Sequence, residues 1–317
     1  METEGNLPPK YGPLLGPVAI REISAALGVS PTKKLGQNFL HDGGTVRRIV
    51  ASAQIDPGDI VLEVGPGLGS LTLGLLGAQA RVCAVEIDPT LAEQLPKTVA
   101  ELQPDRADDL VVYQADALTV QSWAECAPGW APPRRLVANL PYNVAVPILL
   151  HFLALLPTLE SSLVMVQAEV ADRLVAGPGS KTYGVPSVKV AWYGQAKRAG
   201  SVGRTVFWPA PNVDSALVDV QLFAEPRGDE SLRQATFALV DAAFAQRRKM
   251  LRAALRSWVD SAEEVNALLE RAQIDPTRRA ETLSIDDFVQ LGRASLTMSV
   301  SEAPLLAAAR ERGRQDA

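Results

Sequence analysis

The chain has 317 residues, 47% of them hydrophobic, and its 36 Asp and Glu outnumber its 31 Lys and Arg to leave a net charge of −5. That length and apolar content suit one large α/β domain with a smaller companion, which excludes a disordered chain. The acidic balance excludes a uniformly basic nucleic-acid binder, and no stretch has the length and apolarity of a membrane span.

Residues 1–32 read as a partly disordered extension, with clustered Pro and Gly (Pro8, Pro9, Gly12, Pro13, Gly16, Pro17) and one short helical pattern from Val18 to Leu27. Its polar start lacks a charged segment followed by an apolar core, so no secretion signal is expected and the chain is placed in the cytoplasm. From Ile60 onward, short apolar runs alternate with segments long enough for crossover helices. Ile60 to Val64, Arg81 to Ile87, Leu110 to Gln114, Leu136 to Ala138 and Leu163 to Gln167 read as strands. This alternation predicts a parallel, doubly wound sheet. Two later β-type runs, Val188 to Tyr193 and Ala216 to Leu222, have no clear helix between them and are expected to close the sheet as a hairpin. After Glu225-Pro226-Arg227-Gly228 the chain turns helical to about Arg293, with amphipathic spacing in Phe237, Val240, Phe244 and in Val265, Leu268, Leu269. The expected organisation is an extension over 1–32, an α/β domain over 33–224, a small helical domain over 225–293 and a flexible tail over 294–317.

Cys83 lies in an apolar run and Cys126 in a Pro/Gly-rich loop, so the two form neither a disulfide framework nor a metal spacing. Of the only two histidines, His41 and His151, the second sits in the apolar helix-like run Ile148 to Leu156. Neither is assigned to a metal, and no metal site is expected.

The first strand runs into Glu63-Val64-Gly65-Pro66-Gly67-Leu68-Gly69, where glycines let the backbone turn sharply and approach a ligand closely. The spacing is G-x-G-x-G rather than the G-x-G-x-x-G that accommodates a pyrophosphate. The second strand ends at Glu86, where a carboxylate can accept both hydroxyls of a ribose, and the third at Asp116, placed for the polar edge of an adenine. Solvated strand-end carboxylates are the alternative. No arrangement for a diphosphate is present and Glu63 adds an acidic group, so the pattern fits the cationic donor S-adenosylmethionine better than NAD.

The fourth strand ends in Asn139-Leu140-Pro141-Tyr142. The Asn139 side-chain oxygen and the Leu140 carbonyl can accept the two N–H bonds of an exocyclic amine such as adenine N6, whose lone pair is otherwise delocalised into the ring. Pro141 stiffens the turn, and Tyr142 offers a face on which a base stacks. Taken alone, the tetrapeptide also reads as an ordinary strand-to-helix turn.

Charge is unevenly distributed. Lys181 to Arg256 holds twelve Lys and Arg against six Asp and Glu, so the rest of the chain carries −11. A basic stretch on an acidic body could track phosphates, or could be a solvated helix face.

With these motifs in order, the chain resembles the ribosomal RNA adenine N6-dimethyltransferases, closest to the bacterial small-subunit (16S) group linked to kasugamycin sensitivity. The resemblance covers about Lys33 to Arg293 and rests on Leu35-Gly36-Gln37-Asn38-Phe39-Leu40, Glu63 to Gly69, Glu86-Ile87-Asp88, Gln114-Ala115-Asp116-Ala117 and Asn139 to Asn143. It continues through Phe207 to Ser215 (Phe-Trp-Pro-Ala-Pro-Asn-Val-Asp-Ser) and Phe244-Ala245-Gln246-Arg247-Arg248-Lys249. The resemblance implies a Rossmann-like class I S-adenosylmethionine-dependent methyltransferase domain with a small C-terminal helical domain. It implies a cofactor site of Asn38, Leu40, Gly65, Glu86, Asp116 and Asn139, and catalysis by Asn139, Leu140, Tyr142 and Phe207, with Phe207 as the second face of the base sandwich. It further implies RNA contacts at Gln246, Arg247, Arg248 and Lys249. Ala245, Ala253 and Ala254 depart from the polar residues common in relatives.

The expected reaction is dimethylation of N6 on two adjacent adenines in a loop near the 3′ end of 16S rRNA, within the small ribosomal subunit or its precursor, with a role in ribosome biogenesis. The enzyme is expected to act as a monomer, without membrane or metal. Three alternatives stay open: a large-subunit (23S) rRNA adenine methyltransferase of the antibiotic-resistance type, a DNA adenine methyltransferase, and a non-catalytic ribosome-assembly or transcription factor on this fold. The Gln246 to Lys249 run and Thr282 to Phe288 favour the small-subunit group, and an acidic residue would more often replace Asn139 in a DNA enzyme. None of the matched cofactor positions is damaged, which argues against a non-catalytic protein.

Overall fold

A computed structural model of the protein describes residues 12–28, 38–259 and 261–298. Leu35 to Gln37 and most of the C-terminal tail lie outside these described residues, as do 1–11 and 29–34. The chain divides into two units, one formed by Met1–Ala171 with Lys197–Leu222 and the other by Asp172–Ala196 with Phe223–Ala317.

In chain order the first unit contains α1 (Pro17–Ala26), β1 (Phe39–Leu40), α2 (Gly43–Ser52), β2 (Ile60–Val64), α3 (Ser70–Gly77), β3 (Arg81–Glu86), α4 (Pro89–Leu102) and β4 (Leu110–Gln114). There follow the one-turn α5 (Trp123–Cys126), β5 (Arg135–Asn139), α6 (Ala145–Leu155), β6 (Ser161–Gln167) and α7 (Ala168–Leu174). After α8 (Val185–Tyr193) come β7 (Gly194–Val202), β8 (Phe207–Trp208) and β9 (Ser215–Leu222). Seven strands form one sheet in the order β4-β3-β2-β5-β6-β9-β7, while β1 and β8 pair separately. The pairs from β4 to β6 are parallel, and β9 runs antiparallel to β6.

The parallel strands are largely apolar because helices cover both faces. Val61, Leu62, Val82, Cys83, Ala84, Leu136 and Val164 are all buried. Strand order reverses between β2 and β5, whose neighbours lead away in opposite directions, and a doubly wound sheet opens a crevice beyond the strand ends at that point. Helix α4 begins where the sequence supplies a cap and a stop together: Asp88 accepts from Thr90 N at 2.9 Å and Pro89 occupies the first helical position.

The N-terminal extension is partly built into this unit. Leu15 and Ile20 are buried in its core, and the Gln103 side-chain amide donates to the carbonyls of Pro13 at 3.2 Å and Leu73 at 3.0 Å. Residues 12–28 are thus packed structure, which the Pro/Gly clustering of the segment disguises.

The expected hairpin of Val188 to Tyr193 with Ala216 to Leu222 is corrected. Val188 to Tyr193 is the body of helix α8, and the strand partner of β9 comes later, as β7. Pro186 sits in the first turn, where its missing N–H costs nothing, and the Ser187 hydroxyl accepts from Gly184 N at 3.1 Å to cap the start. The alternation of Val188, Val190 and Trp192 imitates a strand, but Ser187 is buried as well and the buried stripe is helical. Strand β7 went unread because it is an edge strand carrying Gln195, Lys197 and Arg198, the polar pattern that discourages edge pairing.

The second unit is helical. Besides α8 it contains α9 (Glu230–Ala245), the short α10 (Leu251–Ala254), α11 (Ala262–Arg271) and α12 (Ile285–Leu296). Trp192, Leu239, Val240, Leu268, Leu269 and Phe288 are buried in its core, so 172–196 belongs with the helices although the sequence reading placed it in the α/β domain. Helix starts are capped by Asp229, Ser261 and Ser284, the last in a reciprocal box with Asp287. Helix α12 runs to Leu296, so the first residues of the expected tail are helical, and 299–317 lie outside the described residues. Among the described residues no helix is long and apolar enough to cross a membrane, and no cluster of His, Cys, Asp and Glu could hold a metal ion.

Candidate active site

A cavity of about 200 Å³ opens in the first unit where strand order reverses, and it is built from the ends of β2, β3, β4 and β5. Of the expected cofactor residues, Asn38, Leu40, Gly65, Glu86, Asp116 and Asn139 all line it. The structure does not bring Leu140, Tyr142 or Phe207 to its wall.

The glycine loop after β2 turns through left-handed conformations, with φ of +59° at Gly67 and +98° at Gly69. At Gly67 a Cβ would lie 3.0 Å from the Phe39 ring, and at Gly69 one would lie 2.6 Å from Leu95 Cδ1. Glycine therefore satisfies both backbone and space there. The loop is tied to two neighbours. Gly67 N donates to Glu86 Oε2 at 3.1 Å, and the Ser70 hydroxyl donates to the Leu40 carbonyl, which fixes the short strand β1 against the start of α3.

Glu86 ends β3 almost completely buried, and its other oxygen accepts from Asp88 N at 3.0 Å. Burial pushes its carboxyl above the usual range, opposed by these backbone N–H groups. Glu63, one residue before the end of β2, is 1% exposed and accepts from the Thr72 hydroxyl at 2.7 Å. Burial, reinforced by the Glu86 charge, pushes it up to about 8. Asp116 follows β4 and accepts from Leu118 N at 2.9 Å. Ile87 and Leu118 line the same cavity and stay 49% and 38% exposed, which provides apolar surface for a flat ring beside the acidic groups.

These residues fit S-adenosylmethionine on the chemistry of the donor set. Three carboxylates and no Lys, Arg or His line the cavity, so it is suited to a ligand of positive charge and unsuited to a diphosphate.

At the mouth, Asn139 ends β5, and its side-chain nitrogen donates to the Asn38 carbonyl at 3.3 Å. Leu140 N donates to Met165 O at 3.1 Å, which continues the β5–β6 ladder into the turn. Pro141 follows and lies against Gly65, its Cδ 3.7 Å from where a Cβ would stand. Tyr142 is half-buried with its hydroxyl 2.7 Å from that of Ser215, and burial raises its pKa against that bond. Phe207 stands opposite Leu40 in the β1–β8 pair, 3% exposed and packed in the core. Its neighbour Trp208 is half-buried and stacks on Phe39, with centroids 6.4 Å apart.

The expected RNA contacts lie in the second unit. Gln246 to Lys249 form the turn after α9, closed by Lys249 N donating to Gln246 O at 2.8 Å. Gln246, Arg248 and Lys249 are exposed, but Arg247 is engaged within the unit. Its guanidinium donates to Glu281 at 3.0 Å and to the Lys181 carbonyl at 2.8 Å. The basic excess of the sequence is also reduced, since Lys189, Arg227 and Arg233 meet Asp241, Asp286 and Glu230. An isolated antiparallel bridge between Met250 and Arg279 sets exposed Arg279 beside the run. Sequence reading missed Arg279, for which the adjacent pair Arg278-Arg279 was the available signal. It also missed the roles of Ser70, Thr72, Asp88, Ile87 and Leu118; only Asp88, an Asp directly before Pro89, carried a local signature.

A family profile described as Ribosomal RNA adenine dimethylase matches residues 29–294. The chain is 58% identical over 278 residues to a Streptomyces coelicolor protein named Ribosomal RNA small subunit methyltransferase A, a match covering 88% of this chain and 96% of that one. Among solved structures, the 23S rRNA methyltransferase ErmE is 28% identical with a TM-score of 0.58, over 81% of this chain and 99% of that one. A dimethyladenosine transferase from Plasmodium falciparum shares the fold, with a TM-score of 0.65 and 24% identity over 80% of this chain and 95% of that one.

Proposed function

Because the chain belongs to the ribosomal RNA adenine dimethylase family, we propose that it dimethylates N6 of two adjacent adenines in a loop near the 3′ end of 16S rRNA. Its fold is that of a Rossmann-like class I methyltransferase with C-terminal helices, it depends on S-adenosylmethionine, and it acts on ribosomal RNA. The observation that carries the finer reading is the cavity in which Gly65, Glu86, Asp116 and Asn139 meet at four successive strand ends. Identity of 58% to a small-subunit enzyme, against 28% to ErmE, favours the small subunit as substrate. The reaction belongs in the cytoplasm on the small subunit or its precursor, with the protein acting as a monomer that needs neither metal nor membrane.

When bound, S-adenosylmethionine supplies an electrophilic methyl group on a cationic sulfur. Glu86 accepts from the ribose hydroxyls and Asp116 from the adenine edge, while Asn38, Leu40 and Gly65 hold the donor from the side of β1 and the glycine loop. The Asn139 amide is oriented by its bond to Asn38 O, which leaves its oxygen to accept from N6–H of the target base. With the Leu140 carbonyl as second acceptor, the amine would be drawn towards a pyramidal form with its lone pair localised on nitrogen and available for attack. Tyr142 stacks on one face of an extruded adenine, and Phe207 is assigned the other. Its burial means that its ring must become accessible from the core for that role. No strong base is required, since the proton leaves after the nitrogen becomes cationic. Gln246, Arg248 and Lys249 meet phosphates, and Arg247 orders the turn that presents them.

The test offers labelled S-adenosylmethionine with undermethylated small subunits, large-subunit RNA and DNA in parallel. Label in the small-subunit RNA, appearing as dimethyladenine, is expected; label only in large-subunit RNA or DNA would overturn the assignment.

A further inference from the structure

Two buried carboxylates share the cavity wall, and they are not equivalent. Glu86 is held by peptide N–H groups from Gly67 and Asp88, which support its ionised form. Glu63 receives one hydroxyl, from Thr72, which is itself completely buried.

The surroundings offer Glu63 no compensating charge. Strand β3 places Ala84 opposite it and Cys83 opposite Leu62, helix α3 carries no ionisable side chain, and β5 contributes none from Leu136 to Asn139. The other ionisable groups on the cavity wall are Glu86 and Asp116, and both are acidic. A lone carboxylate so enclosed is costly to ionise, and the remedy in a protein is to keep its proton until a cation arrives. With Glu63 pushed up to about 8, the protonated form predominates at neutral pH in the donor-free site.

We propose that Glu63 is the neutral acid in the donor-free site and ionises when the cationic methyl donor enters, so that donor binding releases a proton and formation of the neutral-sulfur product takes it back. This rests on S-adenosylmethionine as the donor. Glu63 is then a specificity-determining residue that distinguishes donor from spent product by charge, through a proton that takes no part in methyl transfer. The sulfonium carries one positive charge that the thioether of S-adenosylhomocysteine lacks, so the product leaves Glu63 with less reason to stay ionised. Donor affinity rises with pH up to about pH 8 and then levels, because binding that expels a proton is favoured where protons are scarce. Product affinity changes less over the same range.

Calorimetric titration of the full chain in buffers of different ionisation enthalpy counts the protons directly. S-adenosylmethionine is expected to release up to about one proton near pH 7, falling towards zero above about pH 9. S-adenosylhomocysteine is expected to release clearly fewer, and Glu63→Gln is expected to bind both ligands with the difference abolished. Thr72→Val, which removes the hydroxyl supporting the ionised form, is expected to move proton release to higher pH. Equal release with the two ligands, or undiminished release in Glu63→Gln, would overturn the proposal. Should Glu63→Gln not fold, Thr72→Val decides the matter, because its hydroxyl bonds Glu63 and not Glu86: release moved to higher pH supports the proposal, and release unmoved overturns it. Absence of any binding heat with S-adenosylmethionine would instead overturn the assignment of the donor, a result distinct from binding without proton release.

Discussion

Asn139 and Asn38 are 101 residues apart, yet the side-chain nitrogen of the first donates to the main-chain carbonyl of the second at 3.3 Å. The bond settles which way the amide faces, because a nitrogen engaged with Asn38 leaves the oxygen to accept. Asn139→Asp keeps the shape but replaces the donor with a second acceptor, and Asn139→Ala removes both. Each is expected to lower kcat by about a hundredfold or more, the loss typical of removing one preorganised catalytic hydrogen bond. Donor binding, measured by calorimetry, is expected to weaken by much less than kcat falls, although Asn139 also lines the cofactor cavity. An Asn139→Ala protein that binds donor normally and methylates at full rate would remove the residue from the mechanism.

Tyr142 combines a stacking face with a hydroxyl tied to Ser215 at 2.7 Å, and two substitutions separate them. Tyr142→Phe is expected to keep kcat/KM within a few-fold of wild type and to lose about 1 kcal/mol of stability. Tyr142→Ala is expected to lose about ten- to a hundredfold in kcat/KM, since stacking contributes roughly 1–3 kcal/mol per base. Phe207→Ala should behave differently. Its ring is in the core, so urea unfolding is expected to reveal a loss of about 3–5 kcal/mol whatever its role towards the base.

The legible parts of this chain were those whose physics is local. Strands β2 to β6 stood out because a strand covered on both faces is largely apolar and is bounded here by Gly, Pro and Asp. The glycine loop, Glu86, Asp116 and Asn139 were legible together because each follows a strand, and the sheet gathers its strand ends in one crevice. Helix α8 was misread because nine residues are too few for periodicity to separate a buried helix from a strand. The ties between Asn139 and Asn38, Ser70 and Leu40, and Arg247 and Glu281 join residues 101, 30 and 34 positions apart, and only the folded chain brings them together.

The run Gln246 to Lys249 is not uniform, and salt dependence is expected to divide it. Arg248 and Lys249 are exposed and have no ion pair among the described residues, whereas Arg247 is anchored on Glu281 and on the Lys181 carbonyl. Removing one cation that neutralises a phosphate should reduce the slope of log affinity against log salt by roughly 0.7–0.9. Filter binding of rRNA fragments over a salt series is therefore expected to show shallower slopes for Arg248→Ala and Lys249→Ala. Arg247→Ala should keep the slope and instead lose stability on the order of 1 kcal/mol, because its ion pair is partly exposed. A slope change for Arg247→Ala alone would reverse the assignment.

Gly69 gives a purely structural prediction. At φ +98° an alanine is strained, and its Cβ would stand 2.6 Å from Leu95 Cδ1 behind the glycine loop. Gly69→Ala is expected to destabilise the protein by about 1–3 kcal/mol and to weaken donor binding as the loop shifts. Leu95→Ala relieves the collision but not the strain. The double variant should therefore recover part of the binding that Gly69→Ala forfeits, as calorimetry would show, and no recovery would place the whole cost in the backbone.

Glu63 also makes the stability of the donor-free protein depend on pH. An acid whose pKa is raised from 4.5 to about 8 on folding holds more proton in the folded than in the unfolded chain throughout that window. Its neutral burial is therefore tolerated below pH 4.5, and stability falls as pH rises towards 8, by at most roughly 5 kcal/mol for the full shift. Glu86 is raised in the same direction, so the wild-type slope contains both residues and only the difference from Glu63→Gln isolates one. Thermal unfolding between pH 5 and 8.5 is expected to show Tm falling with pH more steeply in the wild type than in Glu63→Gln. S-adenosylmethionine should restore more stability to the wild type at pH 8 than at pH 6, since the cation offsets a charge that exists only at the higher pH. Parallel Tm profiles for the two proteins would mean that Glu63 is ionised across the range, and that water or a shifted side chain compensates it inside the cavity.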